Sequence, residues 1–142
     1  MTLLRAEKKV RLMGITHVPA TVKPVLPGGS SVTADFLVDT GAIDCLLPAS
    51  RLRQAGVEPE RADFYELADG SLIELPVAHA RIEFMGCHAI VKIIFGPENA
   101  EPILGAIALE DAGFVVDPIK QRLRRLAARS LKKARHEHVR TA

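Results

Sequence analysis

The alternation of apolar and polar residues predicts that the first part of the chain is built mainly from strands. Apolar or β-branched residues alternate with others in residues 14–26, where two prolines favour an edge strand or a bulge. After the turn LPGGSS, residues 32–39 form a β-branched run that ends in three uninterrupted apolar positions, which indicates burial on both faces. A Pro-Ala-Ser opening and Gly56 then bound a short helix within residues 48–57.

Two β-hairpins are predicted in the middle of the chain. Residues 63–77 contain two alternating runs joined by Asp69-Gly70, the pair that a two-residue type I′ turn favours because both of its positions need positive φ. Residues 80–96 repeat the pattern, with a turn near Met85 to Cys87. Both hairpins are antiparallel, because connections this short allow no other arrangement.

Short strands and short helices are predicted in the last third of the chain. An apolar strand ending at Gly105 precedes a short helix, Ala106 to Ala112, which the following glycine terminates. FVVDP is a further strand, and QRLRRL either pairs back on it or belongs to a longer helix. We favour a strand through about Leu126, followed by a helix to about His136. Strands outnumber helices, which predicts a small mainly β barrel or folded sheet.

Composition indicates one globular domain with a segregated charge. The chain has 142 residues, of which 48% are hydrophobic and 4% aromatic, so the core must be aliphatic. Residues 120–142 hold nine Lys/Arg and one acid, a charge of +8, whereas the remainder holds ten Lys/Arg and sixteen acids, a charge of −6. We therefore assign a domain to residues 1–126 and a basic helical tail to residues 127–142. The tail is interpreted as a solvated helix face, with weak contact to nucleic acid or an anionic surface as the alternative.

The cysteines, histidines and amino terminus indicate a reduced, metal-free protein. Cys45 and Cys87 lie far apart beside apolar residues and are predicted to be buried free thiols. His79 and His88 are predicted to be structural, and the HEH triplet at 136–138 is a weak metal site at most. The amino terminus has only a three-residue apolar patch, too short for a signal peptide, which predicts a cytoplasmic protein. No segment approaches the roughly 20 apolar residues of a membrane span.

The candidate chemistry lies where an apolar strand ends in Asp39-Thr40-Gly41. The glycine lets the backbone close tightly, and the threonine hydroxyl can hold a neighbouring loop. If a second such loop faced the first, two carboxylates about 3 Å apart could not both ionise, so one would act as acid while the other deprotonated a shared water. The chain contains this tripeptide once, so an active pair requires two chains. The alternative is that Asp39 merely ends the strand in an Asx turn.

The motif FLVDTGA, followed about sixty residues later by PILGAIALEDAGF, resembles the retropepsin-like aspartic proteases of the single-domain retroviral type. The chain resembles the small bacterial members of this family more closely, from about Gly14 to Leu123. The resemblance implies a closed barrel of short antiparallel strands with one or two short helices. It also implies a homodimer that hydrolyses peptide bonds without a metal or cofactor. The alternative is a catalytically silent module of the same fold that dimerises or binds peptides.

The resemblance also implies roles for particular residues. Asp39, Thr40 and Gly41 form the catalytic motif, with one Asp39 from each subunit. The hairpin between the two motifs is the flap that covers the cleft. Asp44 either contacts the substrate backbone or caps the short helix, and Tyr65 is more simply an exposed strand residue. The residues expected to contact substrate are Ala42, Asp44, Ala68, Asp69, Gly70, Ser71, Ile103, Leu104 and Gly105.

Two departures from the retroviral pattern concern the dimer and the flap. Retroviral members carry an acid and an arginine that brace the two subunits, whereas this chain has Ile43 and Ala106 at those places. Because both ends of the ion pair are replaced together, we expect an apolar substitute. The flap tip, Ala68 to Ser71, has one glycine, whereas retroviral tips are rich in glycine.

Overall fold

A computed structural model describes residues 16–126, in which the main feature is a seven-stranded sheet. Its strands are β1 (His17–Lys23), β2 (Val32–Val38), β3 (Cys45–Pro48), β4 (Arg61–Glu66), β5 (Leu72–Phe84), β6 (Cys87–Gly96) and β7 (Ile103–Leu104). A separate sheet pairs β8 (Phe114–Asp117) with β9 (Arg122–Arg125), and the helices are α1 (Ala49–Gln54) and α2 (Ala106–Ala112). The described part is therefore mainly β with short helices, which confirms the coarse part of the predicted fold class.

The large sheet curls until its first strand meets its fifth. The strand order is β1-β2-β7-β3-β6-β5-β4, and β1 pairs with β5 over Thr21–Lys23 as well as with β2. Pro19 lies where β1 has β2 as its strand partner but no pairing to β5, which agrees with the expected edge position. β4 extends beyond the ring and pairs with β5.

The prediction of short, exclusively antiparallel strands is wrong in two respects. β2 runs parallel to β7, and β3 runs parallel to β6. Each of these pairs is joined by a long connection, residues 39–102 and 49–86, and a long connection can return the chain in the same direction. In addition, β5 has 13 residues and β6 has 10, because each continues from the ring into a hairpin.

The core is mostly aliphatic, with four buried phenylalanines, and fills the interior of the curled sheet. Alternation in β1 buries its two valines and its alanine while exposing His17, and each fully buried large side chain contributes about 1.5–3 kcal/mol. In β2, Phe36 is buried but Leu37 is half-buried, so the expected burial on both faces is incomplete. Both cysteines are free, yet only Cys45 is buried, and burial raises the pKa of its thiol to about 11; Cys87 is half-buried.

The turn between β4 and β5 is wider than predicted. Gly70 has positive φ (+87°) but Asp69 does not, and the Leu67 N–H donates to Ser71 O (2.8 Å). This is a three-residue loop with glycine at its left-handed position, so the predicted two-residue type I′ turn is wrong. The Asp69 carboxylate accepts a hydrogen bond from Ser71 N (2.9 Å), which stabilises the wider loop. The two-residue turn with two positive φ angles lies instead at Met85–Gly86, between β5 and β6.

The end of the described chain follows the favoured interpretation. β9 pairs back on β8, with Val116 opposite Leu123, so the segment after FVVDP is a strand. The helix predicted to about His136 and the basic tail of residues 127–142 lie outside the described residues. No helix within residues 16–126 is long and apolar enough to cross a membrane.

β7 lies between β2 and β3 and brings the end of β2 against the segment before β3. It pairs parallel to β2, with Val38 opposite Leu104, and antiparallel to β3. Gly105 follows directly and packs against backbone: an added Cβ would lie 2.6 Å from the carbonyl oxygens of both Ile43 and Asp44. Glycine is therefore required here for close approach, since its φ of −89° is open to any residue.

We expect Gly105→Ala to destabilise the protein by about 3 kcal/mol, because two backbone carbonyls would have to move. Gly70→Ala is the matched control: it meets no atom within 4 Å, and its positive φ costs about 1 kcal/mol. Urea unfolding of the two variants measures the difference. Equal losses of stability would contradict a close backbone contact at Gly105.

Candidate active site

The Asp39 loop, residues 39–44, is held at its start by backbone hydrogen bonds. Asp39 N donates to Leu104 O (3.1 Å), and Ala42 N donates to Asp39 O (3.1 Å). The Asp39 carboxylate is half-buried, and its Oδ1 accepts a hydrogen bond from Gly41 N (2.9 Å). This bond is the Asx turn considered as the alternative explanation of the tripeptide. It also orients the carboxylate, and within residues 16–126 the second oxygen, Oδ2, has no hydrogen-bond partner.

The second motif packs directly against the Asp39 loop. Ala106 N donates to Ala42 O (2.8 Å), and Ile107 N donates to Ile43 O (3.3 Å), so the first turn of α2 rests on the loop. The structure thus brings the segment from Ile103 to Gly105 next to Asp39-Thr40-Gly41, from about sixty residues further along the chain. Local sequence alone does not impose this proximity, because it arises from the parallel pairing of β2 with β7.

An open groove of about 910 Å³ adjoins the Asp39 loop. Its lining begins two residues after Asp39 and includes Gly41–Asp44 together with Tyr65 and Glu66 of β4. Isoleucines from β6 and α2, among them Ile90 and Ile107, supply its apolar surface. The groove is mostly apolar with a few polar groups and is open to solvent, and its volume lies within the range of ligand-binding clefts.

Thr40 lies on the other side of the loop, where it lines a second, smaller groove with Val38 and Ala106. Its side chain is exposed, and its hydroxyl has no hydrogen-bond partner in the part of the chain that the structure describes. The hydroxyl is therefore free to bond to a group outside this chain.

Two exposed isoleucines, one within the Asp39 loop and one in the first turn of α2, lie next to each other. Ile43 is 67% exposed and Ile107 is 46% exposed, and the backbone bond between them places them side by side. Ile43 and Ala106 are the residues at which the resemblance to retroviral members would place the bracing ion pair. The structure therefore has apolar surface next to the loop where an apolar substitute is expected.

Asp44 does not cap a helix, so that alternative is wrong. α1 begins at Ala49, directly after Pro48, and has no side-chain cap. Asp44 instead points into the groove, where its Oδ2 accepts a hydrogen bond from Tyr65 Oη (3.1 Å) and lies 3.4 Å from Lys92 Nζ. Its side chain is only 11% exposed, so the carboxylate is paired and largely shielded from solvent.

The predicted flap tip lies away from the groove. Ala68, Asp69, Gly70 and Ser71 are all exposed, and none of these four described residues lines the groove beside the Asp39 loop. The β4–β5 hairpin approaches the loop through the end of β4, where Tyr65 contacts the groove. Only the body of the predicted flap adjoins the groove in this single chain.

A polar network joins β4, β6 and the Asp39 loop, and the sequence reasoning did not single it out. Lys92 Nζ donates to Asp63 Oδ2 (2.7 Å) and also lies near Asp44 Oδ2, while Arg61 Nε donates to Asp63 Oδ1 (2.9 Å). The sequence contains two local indications of this network. Asp63 and Tyr65 are two residues apart on one strand and so share a face. Lys92 is also the one charged residue in the apolar run of β6.

The network shifts the ionisation of its members. Hydrogen bonds from Arg61 and Lys92 lower the pKa of Asp63 from 3.8 to about 2. The bond to Asp63 raises the pKa of Lys92, and burial, followed by the nearby charge of Asp44, raises the pKa of Tyr65. At neutral pH Asp63 is therefore ionised, Lys92 is cationic and the Tyr65 phenol is neutral.

The described residues offer no candidate metal centre. Within residues 16–126, no group of three or more His, Cys, Asp or Glu side chains could hold an ion. His79 Nδ1 lies 3.1 Å from Glu60 Oε1, which agrees with the structural role predicted for it, and His88 is exposed. The HEH triplet at 136–138 lies outside the described residues.

Comparison with known proteins assigns no family to this site. No protein-family model matches the chain, and no curated protein matches its sequence significantly. The interpretation of the site therefore rests on its own residues: the oriented carboxylate of Asp39, the packing of Gly105 and α2 on its loop, and the adjoining groove.

We expect the contribution of Asp63 to stability to depend on pH. Because the folded-state pKa is depressed, this contribution is present in full above about pH 4 and is lost as the pH falls to about 2. The melting temperature of wild type should therefore exceed that of Asp63→Asn by a constant amount from about pH 7 to pH 5 and converge with it near pH 2. Scanning calorimetry measures both curves.

Asp35→Asn is the matched control for the loss of one carboxylate, because Asp35 is an exposed strand residue with no side-chain hydrogen bond within residues 16–126. A wild-type advantage over Asp63→Asn that persisted unchanged at about pH 2 would contradict the assigned network.

Proposed function

We propose that this protein is a retropepsin-like aspartic endopeptidase that acts as a homodimer. The observation that carries the proposal is the packing of two distant motifs: the Asp39 loop, with its oriented carboxylate, rests on the segment from Ile103 to Gly105 and on the start of α2. This is the arrangement that the resemblance to that family implies. The adjoining groove supplies a place for an extended peptide.

The curled sheet is, in this proposal, the closed barrel of the retropepsin-like fold. Support comes from the double pairing of β1, which joins β2 and β5 and so completes a ring of six strands. The position of β7, between β2 and β3, gives further support, because it sets the apolar-apolar-glycine segment beside the aspartate.

In the proposed dimer, the two Asp39 carboxylates face each other across the two-fold axis. The ionised carboxylate takes a proton from a water held between them, and the oxygen of that water forms a bond to the carbon of the peptide carbonyl. The protonated carboxylate of the other subunit donates to the carbonyl oxygen. When the tetrahedral intermediate collapses, the C–N bond breaks and the leaving amine takes up the proton that the first carboxylate removed from the water, while a hydroxyl of the intermediate returns a proton to the carboxylate of the other subunit.

The residues of the Asp39 loop have separate roles in this mechanism. Gly41 N holds Oδ1 of Asp39, which leaves Oδ2 for the water and the substrate. The free hydroxyl of Thr40 bonds to the loop of the second subunit across the two-fold axis. Ala42 and Asp44 lie in the groove lining and contact the substrate. The flap-tip residues lie away from the groove, and in this proposal they contact the substrate only after the tip of the hairpin moves towards it.

We expect Asp39→Asn to lower the rate of peptide hydrolysis by at least about 100-fold, because an amide cannot exchange a proton with the water. The variant should keep the wild-type circular dichroism spectrum and sedimentation coefficient. Rates are measured on a fluorogenic peptide library at acid and neutral pH. Asp35→Asn, on the same strand but exposed, is the control and should keep full activity.

Activity retained by Asp39→Asn would contradict the assigned mechanism. If wild type cleaves nothing in the library at concentrations where it is dimeric, the alternative holds instead, and the chain is a silent module that dimerises or binds peptides.

We expect activity to depend on two Asp39 residues from different chains. In a ninefold excess of Asp39→Asn, only about one wild-type subunit in ten pairs with another wild-type subunit, so total activity should fall to about one-tenth after subunit exchange. When the ninefold excess is Asp35→Asn instead, the added subunits still carry Asp39. The number of active subunits, and with it the total activity, should then rise about tenfold. An unchanged rate in the first mixture, or a strict monomer in sedimentation, would exclude the shared site.

A further inference from the structure

The β4–β5 hairpin is connected to the Asp39 loop through one lysine and one tyrosine. We propose that Lys92 and Tyr65, acting on Asp44, form a positioning device that holds β4 against the Asp39 loop and keeps the groove formed for a peptide. The effect on peptide affinity rests on the proposed function; the effect on the hairpin does not.

β4 needs such a device because apolar packing does not hold it. β4 pairs with β5 alone among the described strands, and none of its six residues is fully buried. Phe64, its largest apolar side chain, is 68% exposed. Asp63 and Tyr65 are its two half-buried residues, and both point to the polar network. The position of β4 relative to the Asp39 loop therefore depends on polar contacts.

Lys92 is the centre of these contacts. It lies on β6, within the ring of the large sheet, and its Nζ is 2.7 Å from Asp63 Oδ2 on β4 and 3.4 Å from Asp44 Oδ2 in the Asp39 loop. It also lies 5.9 Å from the centre of the Tyr65 ring. One cation thus neutralises two carboxylates from different segments, which would otherwise repel each other.

Tyr65 makes the direct contact between the hairpin and the loop. Its hydroxyl donates to Asp44 Oδ2 (3.1 Å), five residues after Asp39 in the chain. A displacement of β4 away from the loop breaks this bond and widens the groove, because Tyr65, Asp44 and Lys92 all line it. The exposed turn between β4 and β5 lies beyond this contact and can move without breaking it.

The first test needs no enzymatic activity. In an Asp39→Asn background, hydrogen–deuterium exchange is compared for Tyr65→Phe, Lys92→Met and the parent. We expect amides of residues 61–77 to exchange about fivefold faster in both variants, the effect of losing one net hydrogen bond, while β1 and β2 keep their rates. Lys92→Arg, which keeps the charge, should restore most of the protection.

Lys23→Met is the matched control, because Lys23 pairs with Glu83 (3.1 Å) elsewhere on the same sheet. It should leave exchange in residues 61–77 unchanged. Unaltered exchange at the hairpin in both Tyr65→Phe and Lys92→Met would overturn the positioning role, as would an equal rise in the Lys23→Met control.

The second test concerns the groove. On a fluorogenic peptide that wild type cleaves, Tyr65→Phe and Lys92→Met should raise KM about fivefold while kcat changes less than about twofold. If the two residues were merely structural, the variants would have a lower melting temperature but an unchanged KM when assayed well below that temperature. That result would overturn the link to peptide affinity. A wild type that cleaves nothing would overturn the proposed peptidase function, and the exchange comparison would still decide the positioning role.

Discussion

The backbone contact between Gly105 and the Asp39 loop is the constraint on which the candidate site depends. The carbonyl oxygens of Ile43 and Asp44 come so close to Gly105 that a side chain there has no room. Hydrogen bonds on either side, from Asp39 to Leu104 and between the loop and α2, continue the contact. The direction of the Asp39 carboxylate is therefore set by backbone from two distant segments, a form of preorganisation that flexible side chains do not achieve as well.

The other side of the groove is built in a different way. β4 has no buried side chain, and its contacts to the Asp39 loop run through Tyr65, Asp44 and Lys92. The net contribution of such polar contacts is roughly 1 kcal/mol each, so they can open and close at little cost. A firmly held aspartate beside a movable wall fits the proposed function, in which the site admits a long substrate and then encloses it.

Local features of the sequence predicted the elements well, and contacts between distant residues account for what was missed. Alternation and turn residues are local, so most of the strands, the hairpin at Met85 and the pairing of β8 with β9 were predicted, whereas β3 was not. The parallel pairings could not, because nothing near β2 or β3 specifies a partner far along the chain. Asp44 was considered as a helix cap for the same reason: its real partners, Tyr65 and Lys92, are 21 and 48 positions away.

In the proposed dimer, Ile43 and Ala106 would stand in place of the ion pair that braces retroviral members. A buried ion pair gives up the hydration of both charges, and apolar residues of suitable shape at the same place are often neutral or stabilising. The loss of one partner alone would leave an unpaired buried charge, whereas this chain has neither an acid nor an arginine at these two positions. The exposed side chains of Ile43 and Ile107 lie at the end of the loop that begins with Asp39, whose Oδ2 has no hydrogen-bond partner within residues 16–126. A second copy that covered these isoleucines, as the proposed dimer requires, would therefore also approach the Asp39 carboxylate.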